Sequence, residues 1–549
     1  MAGADEAGES AEADGDAGAN AAADAPDFRP RAPRLLAALG RALQGPGEPA
    51  TYRLVRFAIL RLLGLVYVAT FAGAVIQILP LIGHDGLLPA DLYLAEARDA
   101  LGADAPWEVP TLFWLDVSDA ALRGVSALGL TLGLALLLGV SSGPLLLALW
   151  LLQLSVLGVG QRFWAFGWET QLLETTLLAM LLVPWTGWRP LDRHGPPLVG
   201  VVLMRWLALR IMLGAGLIKL RGDPCWHDLS CLDVHFETQP NPHPGSWLFH
   251  HAPAWIHQAG VLFNHLAEVI LPFFVFGPRR VRYVAGVILV AFQLTLIASG
   301  NLSFLNWLTI IPCLACFDDQ LLRRLVPARW RGRFVGPEAA APASGPLRIA
   351  AWSLAAIVAW RSVDVVANLL SPSQSMNRSY DPLHLVNTYG AFGRITRERL
   401  ELVIEGSDAR EPGPTTVWRA YELPCKPGDP SRRPCLITPY HLRLDWLMWF
   451  AALEAGDYGG LAREEWLLHL VAKLLEGDPS VAPLLAVDPF AGGPPPQSVR
   501  IVAYRYHFAE PGDPAGAWWV REPVGVLVRP LRADDPELRA FLGAHGWER

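Results

Sequence analysis

The chain has 549 residues, 52% hydrophobic and 18% charged, with a mean hydropathy of +0.28 and a net charge of -7 from 45 Lys and Arg against 52 Asp and Glu. The acidic balance speaks against nucleic acid as a partner, and the apolar residues are blocked into segments near the roughly 20 residues needed to cross a bilayer rather than dispersed as in a soluble core. The fold class expected is an α-helical polytopic membrane protein of about nine spans, followed by a C-terminal soluble α+β or β-sandwich-like domain.

Residues 1–50 read as a disordered, acidic and Ala-rich tail. Asp5, Glu6, Glu9, Glu12, Asp14, Asp16, Asp24 and Asp27 precede any base, unlike the basic start and apolar centre of a cleavable signal. Arg29, Arg31, Arg34, Arg41 and Arg53 then lead into the first span, 56–79, and by the positive-inside rule place the N-terminus in the cytoplasm. Residues 81–119 suit an external loop with short helices. Further spans are expected at 120–140, 144–159, 168–185, 198–219, 254–276, 283–298, 302–316 and 347–370, completing a transmembrane domain over 51–370. Nine crossings put the loops carrying Arg189 and Arg193, Arg279 to Arg282, and Arg323 to Arg333 on the cytoplasmic side. The loop 220–253 and everything from 371 to 549 then lie on the external or lumenal side.

After residue 371 the apolar runs shorten and Pro, Gly and charge intersperse. Alternation predicts strands at 399–406, 415–423, 498–508 and 517–528, with helical spacing at 441–453 and 461–475. The six cysteines fall into close pairs. Cys225 with Cys231 and Cys425 with Cys435 lie on the expected external side, where disulfides persist, and are candidate bridges. Cys313 and Cys316 lie at a cytoplasmic span end and read as small buried apolar residues.

Charged groups at bilayer depth are costly and therefore candidates for function. They are Glu169 and Glu174 in the fourth span, Arg205 and Arg210 in the fifth, Lys219 at its outer end, and His257, His265 and Glu268 in the sixth. Lys219 is one of only three lysines, with Lys426 and Lys473. Two readings stand side by side. Glu174 and Glu268 pair with Arg205, Arg210 or Lys219 to hold helices together; or Lys219, desolvated and beside Glu169, Glu174 or His257 in one pocket, acts as a base. Seven of the 14 histidines lie between His227 and His265, with Asp223, Asp228, Asp233 and Glu237 nearby. No HxxxH or HExxH helical pair accompanies them, so they read as shaping a loop at the membrane surface, with no metal and no cofactor expected.

The segment DPCWHDLSCLDVHFETQPNPHPGSWLFHHAP resembles the signature loop of the lipase maturation factor family. The likeness extends to FWAFGWETQLLE (163–174), GNLSFLNWLTIIPCL (300–314), NTYGAFGRITRERLELVIEGS (387–407) and YELPCKPGDPSRRPCLITPYHLRLDWLMWFAAL (421–453). The resemblance implies a chaperone-like, non-enzymatic factor of the endoplasmic reticulum membrane that acts on secreted lipase-like clients amid membrane lipids, with the final domain in the lumen. Under it, Trp226, His227, Asp228, His235 and Glu237 are the expected client-interaction loop. The acidic tail and Ala/Arg-rich composition look bacterial, and in such a host the membrane would be the cytoplasmic one. A shorter stretch, AGLIKLRGDPCW, is similar to the AGxxKLxxDxxW pattern of vitamin K-dependent gamma-carboxylase and its bacterial relatives. That likeness implies the alternative, a membrane oxygenase or carboxylase using Lys219 as base on a lipid or quinone.

Overall fold

The computed structural model describes residues 50–192, 194–329, 343–458 and 464–547. The expected acidic tail, Arg193 and the arginines at 331 and 333 lie outside the described residues. In chain order, α1 (Arg53–Ile82) is followed by the short α2 (Ala90–Leu101), then α3 (Asp119–Leu138), α4 (Gly143–Val159), α5 (Gly167–Met180) and α6 (Leu198–Gly222). The next loop folds into α7 (Cys231–Thr238) and α8 (Pro244–His250). Helix α9 (Ala254–His265) runs on through a π-helical turn, Leu266–Ile270, and a 3-10 turn, Leu271–Phe276. Helices α10 (Arg279–Ser299), α11 (Leu305–Cys313), α12 (Asp319–Leu325) and α13 (Gly345–Leu370) complete the apolar part.

Six of the expected spans are long and apolar enough to cross a membrane: α1, α3, α6, α9 with its continuation, α10 and α13. The third and eighth are shorter apolar helices, Gly143–Val159 and Leu305–Cys316. The fourth differs from expectation. It stops at Met180, and its 14 residues rise only about 21 Å against about 30 Å of hydrocarbon. Its composition explains this: Glu169, Gln171, Glu174, Thr175 and Thr176 are all buried, so α5 is a polar inner helix screened from lipid by its neighbours.

Helix α1 is the spine. Asp319 caps its start from far along the chain, accepting from the backbone N–H groups of Arg53 and Leu54, both at 2.8 Å, and of Val55 at 3.3 Å; a carboxylate there answers both the unpaired donors and the helix dipole. Gly64 of α1 against the Leu137 backbone and Gly129 of α3 against the Phe71 ring let α1 and α3 lie close along their length.

The C-terminal part is a four-stranded antiparallel sheet of β1 (Arg399–Ser407), β2 (Arg419–Ala420), β3 (Ser498–Phe508) and β4 (Trp519–Leu531), ordered β2-β1-β3-β4. Central pairing runs from Arg399 opposite Tyr506 to Ser407 opposite Ser498. Helices α14 (Arg443–Tyr458) and α15 (Glu465–Glu476) are inserted before β3, and α16 (Pro536–Ala544) closes the described chain. The expected strand over 415–423 shrinks to two residues, because beyond Tyr421 the chain leaves β1 and bridges from Glu422 to Val487. Helix α14 packs on β1 with one side. Its other side carries Trp446 into a ring cluster with Phe166, Trp168 and His441 at the start of α5. Residues 48–549 therefore form one compact unit rather than two loosely tethered bodies.

Candidate functional site

Helix α6 carries Gly214, Ala215 and Gly216 about one turn ahead of Lys219 and runs on to Gly222. Its small residues admit close neighbours: a Cβ on Gly214 would collide with the carbonyl of Tyr389, and one on Gly216 with Glu268. The approach of the α9 continuation at Gly216 brings Glu268 to Lys219. The Lys219 Nζ lies 2.6 Å from both carboxylate oxygens of Glu268 and 3.0 Å from Asn264 Oδ1, and 5.2 Å from the Trp226 ring centroid. Its ammonium protons are thus engaged by acceptors, in the pairing arrangement of the two readings above.

Beside this cluster opens a cavity of about 1060 Å3. Its walls come from α5, α6, α9, α10 and α11, from residues 372–394, and from Trp446, Trp449 and Phe450 of α14. The lining is mostly apolar. Its polar members include Lys219, Glu268, Asn264, His235 and His257 on one hand, and on the other Gln171 bonded to Thr309 and Asn306 bonded to Gln293. The His235 imidazole is pushed down to about 3 by burial and by the nearby Lys219 ammonium, which keeps it neutral. His257 has both ring nitrogens engaged, Nδ1 with Asp233 at 2.9 Å and Nε2 with the Phe249 carbonyl at 2.8 Å.

Glu169 and Glu174 are elsewhere, and neither lines the cavity. Glu169 receives Arg443 of α14 at 2.8 Å and the Gln153 amide at 2.7 Å; Arg443 also donates to the Phe163 carbonyl and stacks 3.9 Å over the Trp164 ring. Glu174 is paired with Arg210 and accepts from the Tyr389 hydroxyl at 2.7 Å and from the backbone and side-chain amides of Asn387 at 3.1 and 3.2 Å. Both carboxylates of α5 are therefore joints between the membrane helices and the C-terminal part. Sequence reasoning missed Arg443, Asn387 and Asn264; the last stands one helical turn before Glu268, which was its available signal.

The loop 220–253 is fastened to the same C-terminal part. The disulfide Cys225–Cys231 staples its start, and Cys425–Cys435 closes the second loop. Cys313 and Cys316 are unbonded and buried. Asp223 sits near Cys225 and Cys231, but bonded sulfurs offer no thiolate for a metal. Burial alone would raise the Asp223 carboxyl, yet the N–H groups of Cys225 and Ile395 and the Arg397 guanidinium hold it below its ordinary value. Of the five expected client-loop residues, His227 and Asp228 are exposed, whereas Trp226, His235 and Glu237 are buried. Glu237 faces inward because it accepts from the Phe508 N–H at 2.7 Å and His507 at 3.0 Å, tying the loop to β3.

Residues 54–324 match the family model described as lipase maturation factor transmembrane domain, and 385–529 match the lipase maturation factor C-terminal domain. The chain is 45% identical to lipase maturation factor 1 of Bos taurus, over 92% of this chain and 94% of that protein, and equally so to the Homo sapiens protein, over 92% and 93%. The chain belongs to the lipase maturation factor family. Lipase maturation factor 2 of Rattus norvegicus is more distant, 29% identical over 90% of this chain and 86% of that protein. No solved structure matches. The two family matches, separated by residues 325–384, fall on either side of α13, and the buried joints of Glu169 and Glu174 bridge the two matched regions.

Proposed function

We propose that this chain is a membrane-embedded, chaperone-like maturation factor that assists the folding and assembly of secreted lipases or related secreted enzymes. The carrying observation is the 45% identity over nearly the full length to proteins named lipase maturation factor 1. In this reading residues 51–370 are the membrane part, and 371–549 with the loop 220–253 face the lumen of the endoplasmic reticulum, or the outside of a bacterial cytoplasmic membrane. The N-terminus is cytoplasmic, a parity that counts the α5 segment as a crossing: Phe166 at its start meets His441, which also holds Gln77 near the end of α1, and Leu182 just past its end accepts from Arg56 near the start of α1 at 3.3 Å. The two disulfides both lie on the side so assigned, which suits an oxidising compartment.

The client-facing surface we assign is the open edge of the sheet. β4 is an edge strand thirteen residues long, and Val520, Val524 and Val526 on it are about half exposed. An unpaired strand edge with apolar side chains takes up an extended segment of a folding partner by strand addition. Exposed His227 and Asp228 add a second contact on the loop. Lys219, engaged by three oxygen acceptors, serves in this reading as a structural cation. The test is complementation: cells lacking their own maturation factor are given this chain and a secreted lipase, and active lipase is measured in the medium. Restored activity is expected, with a drop on Val524→Lys together with Val526→Lys at unchanged abundance of the factor. Failure of the unaltered chain to restore any lipase activity overturns the proposal.

A further inference from the structure

The client role leaves the cavity beside Lys219 unused, and it is large for a packed bundle, slightly above the roughly 300–1000 Å3 of pockets that enclose small molecules. Apolar cavities hold water poorly, and an empty one forfeits the dispersion contacts of its walls, so its chemistry asks for a hydrocarbon occupant. Its position suggests where that occupant enters. Helices α9 and α10 pack together around the Leu271–Phe276 turn and touch through the rings of Phe263 and Phe292, 5.5 Å apart. Beyond that ring pair the cavity is lined by the exposed Ala259 and Thr295, small residues on two helices long and apolar enough to span a membrane. The mouth therefore opens sideways, towards lipid.

The polar side decides the head group. Lys219 and Glu268 neutralise one another, and His235 beside them is uncharged. Asn264 is 94% buried and lines the cavity; its Oδ1 is taken by Lys219, which fixes Nδ2 as the donor, and that group makes no close hydrogen bond, only a weaker approach to the Glu268 carboxylate. A buried donor left unmade costs free energy that an incoming acceptor recovers. The interior wall thus offers hydrogen bonds without net charge, and a phosphate lodged there would have to shed its hydration away from Arg221 and Arg394, the cavity cations not paired with a carboxylate among the described residues, which lie at the rim. Arg221 and Arg394 stand at the exposed rim, and Arg221 is held by Gln374 at 2.7 Å.

We propose that this cavity binds an uncharged acylglycerol, its chains entering between α9 and α10 and an ester carbonyl or hydroxyl accepting from Asn264. The inference stands apart from the client role, since ligand binding is read on the purified chain with no lipase present. The full chain in detergent micelles is photolabelled with a diacylglycerol carrying a diazirine in its acyl chain, and the labelled peptides are mapped. Saturable labelling within Ala254–His265 and Arg279–Ser299 is expected, displaced by unlabelled diacylglycerol. Ala215→Trp, which fills the interior, should abolish it. Asn264→Leu should weaken it about 5-fold, one neutral hydrogen bond's worth. Thr295→Trp blocks the mouth from outside and gives the same loss should the interior substitution fail to fold. Labelling that is unsaturable, or unchanged by both Trp variants, overturns the proposal, as does stronger displacement by phosphatidylglycerol than by diacylglycerol.

Discussion

Two buried ion pairs of the membrane region share their chemistry and differ in everything around them. Glu169 with Arg443 is packed on all sides, with side chains 0% and 1% exposed, and joins two parts of the chain. Lys219 with Glu268 is almost as buried, at 6% and 5%, but borders open space and joins two adjacent helices. The difference teaches that burial of a charge in a membrane helix says little by itself. A pair without space beside it is a fastening; a pair facing a cavity is part of a wall that a ligand can meet.

The comparison can be broken by mutation. Arg443→Met strands Glu169 in a dry contact and should cost about 3–5 kcal/mol, seen as a large fall in the unfolding midpoint of the detergent-solubilised chain. Adding Glu169→Met should return most of that loss, because an apolar pair of similar volume replaces a buried ion pair at little cost; a double variant as unstable as the single one would show that the pair is not the fastening. Replacing both Cys425 and Cys435 by Ser opens a loop of ten-residue separation and should cost about 2–3 kcal/mol on loop-entropy grounds. That loop is part of the same joint, since Asn301 donates to the Cys435 carbonyl at 2.9 Å and accepts from the Ile437 N–H at 3.0 Å. Lys219→Met should cost less than Arg443→Met, about 1–2 kcal/mol, because the cavity lets water or a hydroxyl reach the Glu268 left behind. Equal losses for the two would erase the distinction drawn here.

The smallest expected effect is on pH dependence. Burial lowers the imidazoles of His235, His243, His384 and His441, with the Lys219 and Arg443 cations adding to it for His235 and His441. A folded-state pKa below the unfolded one gives stability that is complete above about pH 6.5 and is lost as pH falls towards the folded value. Asp445, raised to about 7 by burial, acts in the opposite sense, its contribution growing as pH falls through 7. With His250, also lowered by burial, and Glu464, raised by it, five imidazoles stand against two carboxyls and predict a falling unfolding midpoint between about pH 6.5 and 5, above the range where surface carboxylates titrate. A midpoint that rises over this interval would mean that the two carboxyls dominate.

Much of this was legible in the chain itself. Blocks of apolar residues marked the helices, alternation marked β1 and β3, and both bonded cysteine pairs stood close in sequence. Lys219 drew attention as a rare lysine at a span end. What could not be read were partners brought from afar: Arg443 lies 274 residues from Glu169, and Asn387 lies 213 from Glu174. Periodicity reports which face of a helix is buried, not what covers it. The length of α5 was misjudged for a related reason, since an apolar run with acids in it reads as a span until the groups that neutralise those acids are known.

The distance from Glu174 to Asn387 also has a bearing on how the molecule is made. Translation proceeds at roughly 5–20 residues per second, so the 213 residues between them separate the two by about 10–40 s. Among the described residues, Arg210, 36 positions on, is the one partner of the carboxylate that is made within that interval, ahead of Asn387 and Tyr389. Glu174 must wait, half-satisfied, for the last third of the chain. Nascent chains that stop before Asn387 carry an open joint in the middle of the bundle, a mark by which an unfinished copy differs from a finished one.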